Sequence, residues 1–282
     1  MEERNEPNIP RLDRHRFDGV GQCIYCGETD DLRDEHIVPY GLGGNLVLPD
    51  SSCGACAEIT SRIELKVLRG SFRPIRVMRG IQSRRKHRGA PTKLPLQVRY
   101  GDEWETIELP HHEYPLLLHF LVYDLPGCLE PEAYTEGLRV RGHLTYSFGP
   151  RPEQVVKDLG ADEIRVSQTD GPSEFAKMTA KVAYSMAVAS GAVDPRRGRP
   201  EVVRSVLGEL NEIGRWVGMV SRPRQWIRDV LHYVGIKRDR EHNLLIGEVQ
   251  YLTDTGTPTY SVVLGTLDDV YVTDLALRTP SG

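Results

Sequence analysis

Two tight cysteine pairs, Cys23-x-x-Cys26 and Cys53-x-x-Cys56, constrain this chain more than any other feature it carries. Four thiolates at that spacing suit one tetrahedral ion, most simply zinc, and so predict a small metal-stapled unit at the N-terminal end. Two unrelated pairs, or one redox-active pair, are the other readings of the same spacing. The pairs enclose Glu35-His36-Ile37 and the turn Gly41-Leu-Gly-Gly44, which places an acid and a histidine inside the stapled unit. The fifth cysteine, Cys128, stands apart and reads as a small buried hydrophobe.

The 282 residues, 39% of them hydrophobic, supply apolar material for a sizeable core in one or two domains. The start, Met-Glu-Glu-Arg-Asn-Glu-Pro, is charged where a signal peptide would be apolar. The longest apolar run, Leu116 to Tyr123, is too short to span a bilayer and is interrupted by His119. The expectation is a cytoplasmic protein with no membrane partner. In such a reducing compartment, paired cysteines favour a metal over disulfides.

A net charge of -4 hides a strong local asymmetry. From Arg62 to Lys93 there are eleven basic residues, Arg62, Lys66, Arg69, Arg73, Arg76, Arg79, Arg84, Arg85, Lys86, Arg88 and Lys93, against the single acid Glu64. The strip therefore carries about +10 and the remainder about -14. A basic strip on an acidic protein suits docking to phosphates, with affinity that falls as salt rises. A solvated helix face plus an exposed connection is the plainer reading.

The chain divides on this reading into a loose arm over 1–17, the cysteine module over 18–69, a basic linker over 70–94, and a mixed α+β domain over 95–282. Within the module, Cys23-Ile-Tyr-Cys26-Gly27 reads as a knuckle and Asp34 to Val38 as a short strand. Gly41, Gly43 and Gly44 mark a turn before a second apolar stretch, Leu46 to Leu48. After Cys53, Ile59, Ile63 and Val67 recur at helical spacing, so the order is hairpin, then helix.

Beyond the strip, Leu96, Val98 and Tyr100 alternate with polar residues, Gly101-Asp102 turns, and Trp104 to Leu109 returns as a second strand. A helix opens near Ser173 with Phe175, Met178, Val182, Ala183 and Met186 on one core stripe. Pro200, at the first helical position, opens another through Val203, Val206, Leu207, Leu210 and Ile213; Ser221-Arg-Pro opens a third through Trp226, Ile227 and Val230. Leu244 to Leu252 and Tyr260 to Leu264 form a hairpin about Asp254-Thr-Gly256, with Val270 to Leu275 a further strand. His111-His112-Glu113 reads as loop surface.

The acid and histidine between the cysteine pairs have a chemistry of their own. A histidine on a hairpin strand, with an ordinary pKa near 6.5, can take a proton from water as a general base. Its neighbour Glu35 points to the opposite side of an extended chain, where a carboxylate can bind a hard cation such as magnesium. That cation would stabilise charge developing on a phosphate and its leaving oxygen.

Cys23-x-x-Cys26, Glu35-His36-Ile37-Val38-Pro39, Gly43-Gly44, Leu46 to Leu48, Ser52-Cys53-x-x-Cys56 and Ile59-Thr60-Ser61-Arg62 together resemble an HNH endonuclease of the ββα-metal fold with a four-cysteine zinc site. The resemblance covers about fifty residues. Phe175-Ala-Lys-Met-Thr-Ala-Lys-Val-Ala-Tyr184 is more weakly similar to a region that follows such modules in bacterial proteins. The resemblance implies an α+β chain in which a small zinc-stapled module precedes a larger mixed domain. It implies His36 as general base, Glu35 as ligand to magnesium or manganese, and Asp50 near the position that orients the histidine strand. The position just after the last cysteine, where the family carries Asn or His, holds Ala57 here. A methyl group binds no cation, so Glu58, Asn45 or water would have to replace it.

Three functions follow as expectations. The first is a metal-dependent endonuclease acting on DNA, or on RNA, with Arg69, Arg73, Arg76, Arg84, Arg85, Lys86 and Arg88 on the flanking backbone. The second is a nuclease-like module weakened through Ala57 that binds nucleic acid. The third is a zinc-stapled interaction domain. A homodimer is among the assemblies the C-terminal region allows.

Overall fold

The expected hairpin and helix are present in the computed structural model, which describes residues 14–81, 93–132, 134, 136–166, 171–219 and 230–273. β1 (His15–Arg16) runs parallel to β3 (Leu46–Cys53), which pairs antiparallel with β2 (Leu32–His36). α1 (Gly54–Arg69) follows without a break, and α2 (Arg73–Met78) turns back after it. The turn between β2 and β3 depends on two glycines: Gly43 has φ 84°, and a Cβ on Gly44 would lie 2.1 Å from the Val38 carbonyl oxygen. No larger residue fits there.

The rest of the chain is mixed α+β. β4 (Lys93–Tyr100), β5 (Glu103–Pro110), β6 (Leu116–Tyr123), β7 (Val140–Phe148), α3 (Pro152–Leu159) and β8 (Glu163–Arg165) come first. Then follow α4 (Pro172–Ala189), α5 (Glu201–Leu207), α6 (Ile213–Trp216), β9 (Val217–Met219), β10 (His232–Asp239), β11 (Leu244–Tyr251) and β12 (Thr259–Thr266). They form an antiparallel sheet in the order β10-β11-β12-β9, a smaller sheet β5-β4-β8, and the pair β6-β7.

α4 is the axis of the molecule. It lies against α1 on one side and against β10, β11 and α5 on others. Small residues make this close packing possible: Ala176, Thr179, Ala180, Ala183, Ser185 and Ala187 are all buried. On β11, a Cβ added to Gly247 would sit 2.6 Å from the Ala183 methyl. The predicted stripe is therefore buried, but so is most of the rest of the helix. Around Phe175 an aromatic cluster of Phe72, Phe120, Tyr251 and Tyr260 sets rings 5.1 to 6.4 Å apart, joining α2, β6, α4, β11 and β12. One apolar cluster runs from Cys23 through this centre to Tyr260.

Several expectations are corrected. The arm over 1–17 is not wholly loose: His15 and Arg16 pair with β3, and Phe17 N–H donates to the Val47 carbonyl. Where it is described, the linker over 70–94 holds a short helix, α2, whose Phe72, Ile75 and Val77 are buried in the core, while the connection over 82–92 lies outside the described residues. α4 is capped at Gly171 with Pro172 in its first turn, not at Ser173. Pro200 caps α5 from outside, and Gly208 in the left-handed region ends it before Leu210. Val272 makes only an isolated bridge to Val193, while the expected helix from Ser221 and the residues beyond Thr273 lie outside the described residues.

His232 fastens the hairpin to the C-terminal sheet. Its Nε2–H donates to the Leu42 carbonyl at 2.8 Å, and its Nδ1 accepts the Leu252 N–H at 3.3 Å. Burial pushes this imidazole down to about 4, so it is neutral in the native state. A histidine whose native pKa is lowered loses stability as pH falls, because the unfolded chain takes up the proton first. We predict a loss on the order of 3 kcal/mol between about pH 6.5 and 4. Urea unfolding across that window should show a shallower pH dependence for His232→Asn than for the native chain.

Candidate metal centre and histidine strand

The knuckle that carries the first cysteine pair is closed by two main-chain hydrogen bonds, Cys23 N–H to Glu28 O at 2.6 Å and Gly27 N–H to Cys23 O at 2.8 Å. Gly27, at φ 85°, turns the chain. Cys53 ends β3 and caps α1, and Cys56 lies in the first helical turn. All four Sγ atoms fall within 4.8 Å of one another, with Cys26 and Cys53 3.6 Å apart. Sulfurs bound tetrahedrally at about 2.3 Å from zinc stand about 3.8 Å apart, so this donor set fits one such ion. The four cysteines form a candidate metal-binding site.

The sulfurs are electrostatically unequal. A hydrogen bond from Cys56 brings the Cys23 thiol down to about 4, and the same contact pushes Cys56 up. Burial raises Cys26. Cys23 thus forms a thiolate readily, whereas Cys26 and Cys56 favour the thiol until a cation is bound. Cys128 lies apart from the cluster, its thiol pushed up to about 11 by burial.

Glu35 and His36 leave β2 on opposite sides, as period-two geometry requires. A register shift between Arg33 and Glu35 realigns the pairing, placing Glu35 opposite Leu48 and His36 opposite Val47. The His36 ring is half-buried and meets Tyr40 edge-on at 6.1 Å between centroids. Glu35 is turned inward and is only 4% exposed.

What Glu35 meets is a lysine 146 positions further along the chain. Lys181 Nζ, from α4, lies 2.5 Å from Glu35 Oε1 and 2.9 Å from Glu64 Oε1 of α1. It also donates to the His36 carbonyl and, at 3.4 Å, to that of Ile37. The residue is 2% exposed. Burial alone lowers a lysine, but the two carboxylates outweigh it and hold Lys181 above its ordinary value. Burial raises Glu35 despite the ammonium beside it. The Tyr25 hydroxyl supports Glu35 from the knuckle and meets Ser185 of α4 at 3.3 Å.

The other expected site residues point to other partners or to solvent. Asp50 is exposed on β3 at φ 46°. Ala57 is half-buried on α1, and Glu58 points to solvent, paired with Arg62 at 2.9 Å. The Asn45 carbonyl accepts the His15 N–H. This set does not fit a catalytic magnesium or manganese ion: Glu35 is taken by an ammonium, Ala57 offers no donor, and Glu58 faces away.

Of the basic strip, Arg69 and Arg73 are exposed, whereas Arg76 is turned inward against the Gly41 and Leu68 carbonyls. Arg76 thus holds the hairpin turn to α1 and is corrected from a phosphate contact to a structural one. Arg79 pairs with Asp254 at 2.8 Å. Arg84, Arg85, Lys86 and Arg88 lie outside the described residues. Lys181 is the one functional residue of this cluster that carries little trace in the sequence. Its signal was a charge three positions after Met178, in the middle of an apolar helix.

No family model, no curated protein and no solved structure matches this chain. No helix among the described residues is long and apolar enough to cross a membrane.

Removing one member of a buried ion pair costs about 3–5 kcal/mol. Lys181→Met should lose stability on that scale in chemical denaturation at neutral pH. Without the ammonium, the native pKa of Glu35 rises further above its unfolded value of about 4.3. A carboxylate so raised is tolerated when protonated, so the loss should shrink as pH falls toward 5. An equal loss at both pH values would contradict the assignment.

Proposed function

We propose that this chain binds nucleic acid through a zinc-held, HNH-like ββα module. The observation that carries the reading is the frame itself: a hairpin and helix closed by four cysteines, with Arg62 and Arg69 of α1 and Arg73 at the start of α2 exposed to solvent. Four thiolates with no oxygen or nitrogen donor among them favour zinc in a structural role, which leaves no position open for substrate. The exposed arginines then meet phosphate oxygens, releasing counterions as they do.

The second reading, a metal-dependent DNA endonuclease, is favoured by one observation. His36 keeps a half-buried ring on the side of β2 away from Glu35, as a general base would need. Against it stand the Glu35–Lys181 pair and Ala57. In this reading His36 takes the proton of the attacking water, and the exposed arginines hold the flanking phosphates.

Metal analysis should find about one zinc per chain, and Cys53→Ser should unfold the N-terminal module. A folded protein without metal would contradict the frame. Duplex DNA should be retained with a steep salt dependence, and Arg69→Gln with Arg73→Gln should lower the slope by about 0.9 for each phosphate no longer neutralised. Plasmid DNA with magnesium or manganese separates the two readings. Retention without cleavage supports binding alone, whereas nicking that His36→Ala abolishes establishes the endonuclease. Neither retention nor nicking would overturn both.

A further inference from the structure

We propose that the Lys181 ammonium occupies the place of a divalent cation, in a four-oxygen cage formed by Glu35, Glu64 and the main-chain carbonyls of His36 and Ile37. The donors come from both elements of the hairpin–helix unit, three residues of β2 and its continuation and one of α1. All are oxygens, two of them carboxylate oxygens, which is the set a hard cation takes.

Charge supports the assignment. Two carboxylates and one ammonium leave the cage with a net negative charge, which a divalent ion would cancel. An ammonium has three donors for four acceptors, and the bond to Ile37 O is accordingly long at 3.4 Å. Glu64 keeps its side chain 19% exposed, so the cage opens to solvent on that side. A cation therefore has a way in once the lysine is gone. Lys181 itself is fixed by a helix buried along most of its length, so the substitution is permanent.

The consequence is that the hairpin, α1 and α4 are joined by an internal cation that needs no supply from solution. This holds whether or not nucleic acid is bound or cut, so its test is separate from that of the function above. Zinc-loaded full-length protein is titrated with manganese alone, followed by electron paramagnetic resonance of the free ion and by thermal melting. Lys181→Ala and Lys181→Gln are compared with the native chain, the glutamine variant retaining a donor for the carbonyls should the alanine variant be poorly folded.

Both variants should bind one manganese at least about tenfold more tightly than the native chain, and melt at higher temperature when it is present. Adding Glu35→Gln to either variant should remove the gain. Variants that bind no more tightly than the native chain overturn the proposal, as does a native chain that binds equally well. Failure of both variants to fold even with manganese also overturns it, because the cage is then not satisfied by a cation.

Discussion

The Lys181 ammonium is buried between two carboxylates and two carbonyl oxygens, so removing any one of these groups leaves another uncompensated. This single cluster joins β2 and α1 of the N-terminal module to α4 of the region that follows. Around it the joint is reinforced: Lys66 meets Glu174 at 2.6 Å, the Tyr184 hydroxyl donates to the Ile24 carbonyl at 2.5 Å, and Arg199 donates to the Tyr25 carbonyl at 2.6 Å. The cysteine module is thus not a separate bead on a linker. Its knuckle, strand and helix each have a hydrogen-bonded partner in the region that follows.

Two kinds of constraint share the work. The cysteines gather the ends of the hairpin and the start of α1 at one pole, where apolar burial is limited by the small size of the unit. At the other pole α4 supplies apolar surface and the buried ammonium of Lys181. His36 lies on the strand between them, with its main-chain carbonyl fixed by Lys181 and its ring on the opposite side. An activity located at that ring is therefore positioned from behind by a residue more than a hundred positions away.

The hairpin and helix were legible because two CxxC pairs and a glycine turn leave few arrangements, and the hairpin about Asp254-Thr-Gly256 was legible from its alternation and turn residues. α4 was legible as core. Its burial along most of its length was not, because Ala, Ser and Thr carry little hydrophobic signal yet permit close approach to α1 and β11. The role of Glu35 was misread for a related reason: an acid beside a histidine looks the same in sequence whether it faces a metal ion or a distant lysine. Arg76 shows the same limit within the basic strip, where a count of charges says nothing of which guanidinium turns inward to carbonyl oxygens. Long-range pairings of this kind leave almost no local trace.

The central claim is that Glu35 serves as an internal counter-ion and not as an open ligand. A double-mutant cycle between Glu35→Gln and Lys181→Met, read by chemical denaturation at neutral pH, measures this directly. The account predicts a coupling of about 2–3 kcal/mol, with the double variant more stable than the sum of the single losses implies. Single losses that add to within about 0.5 kcal/mol would contradict it.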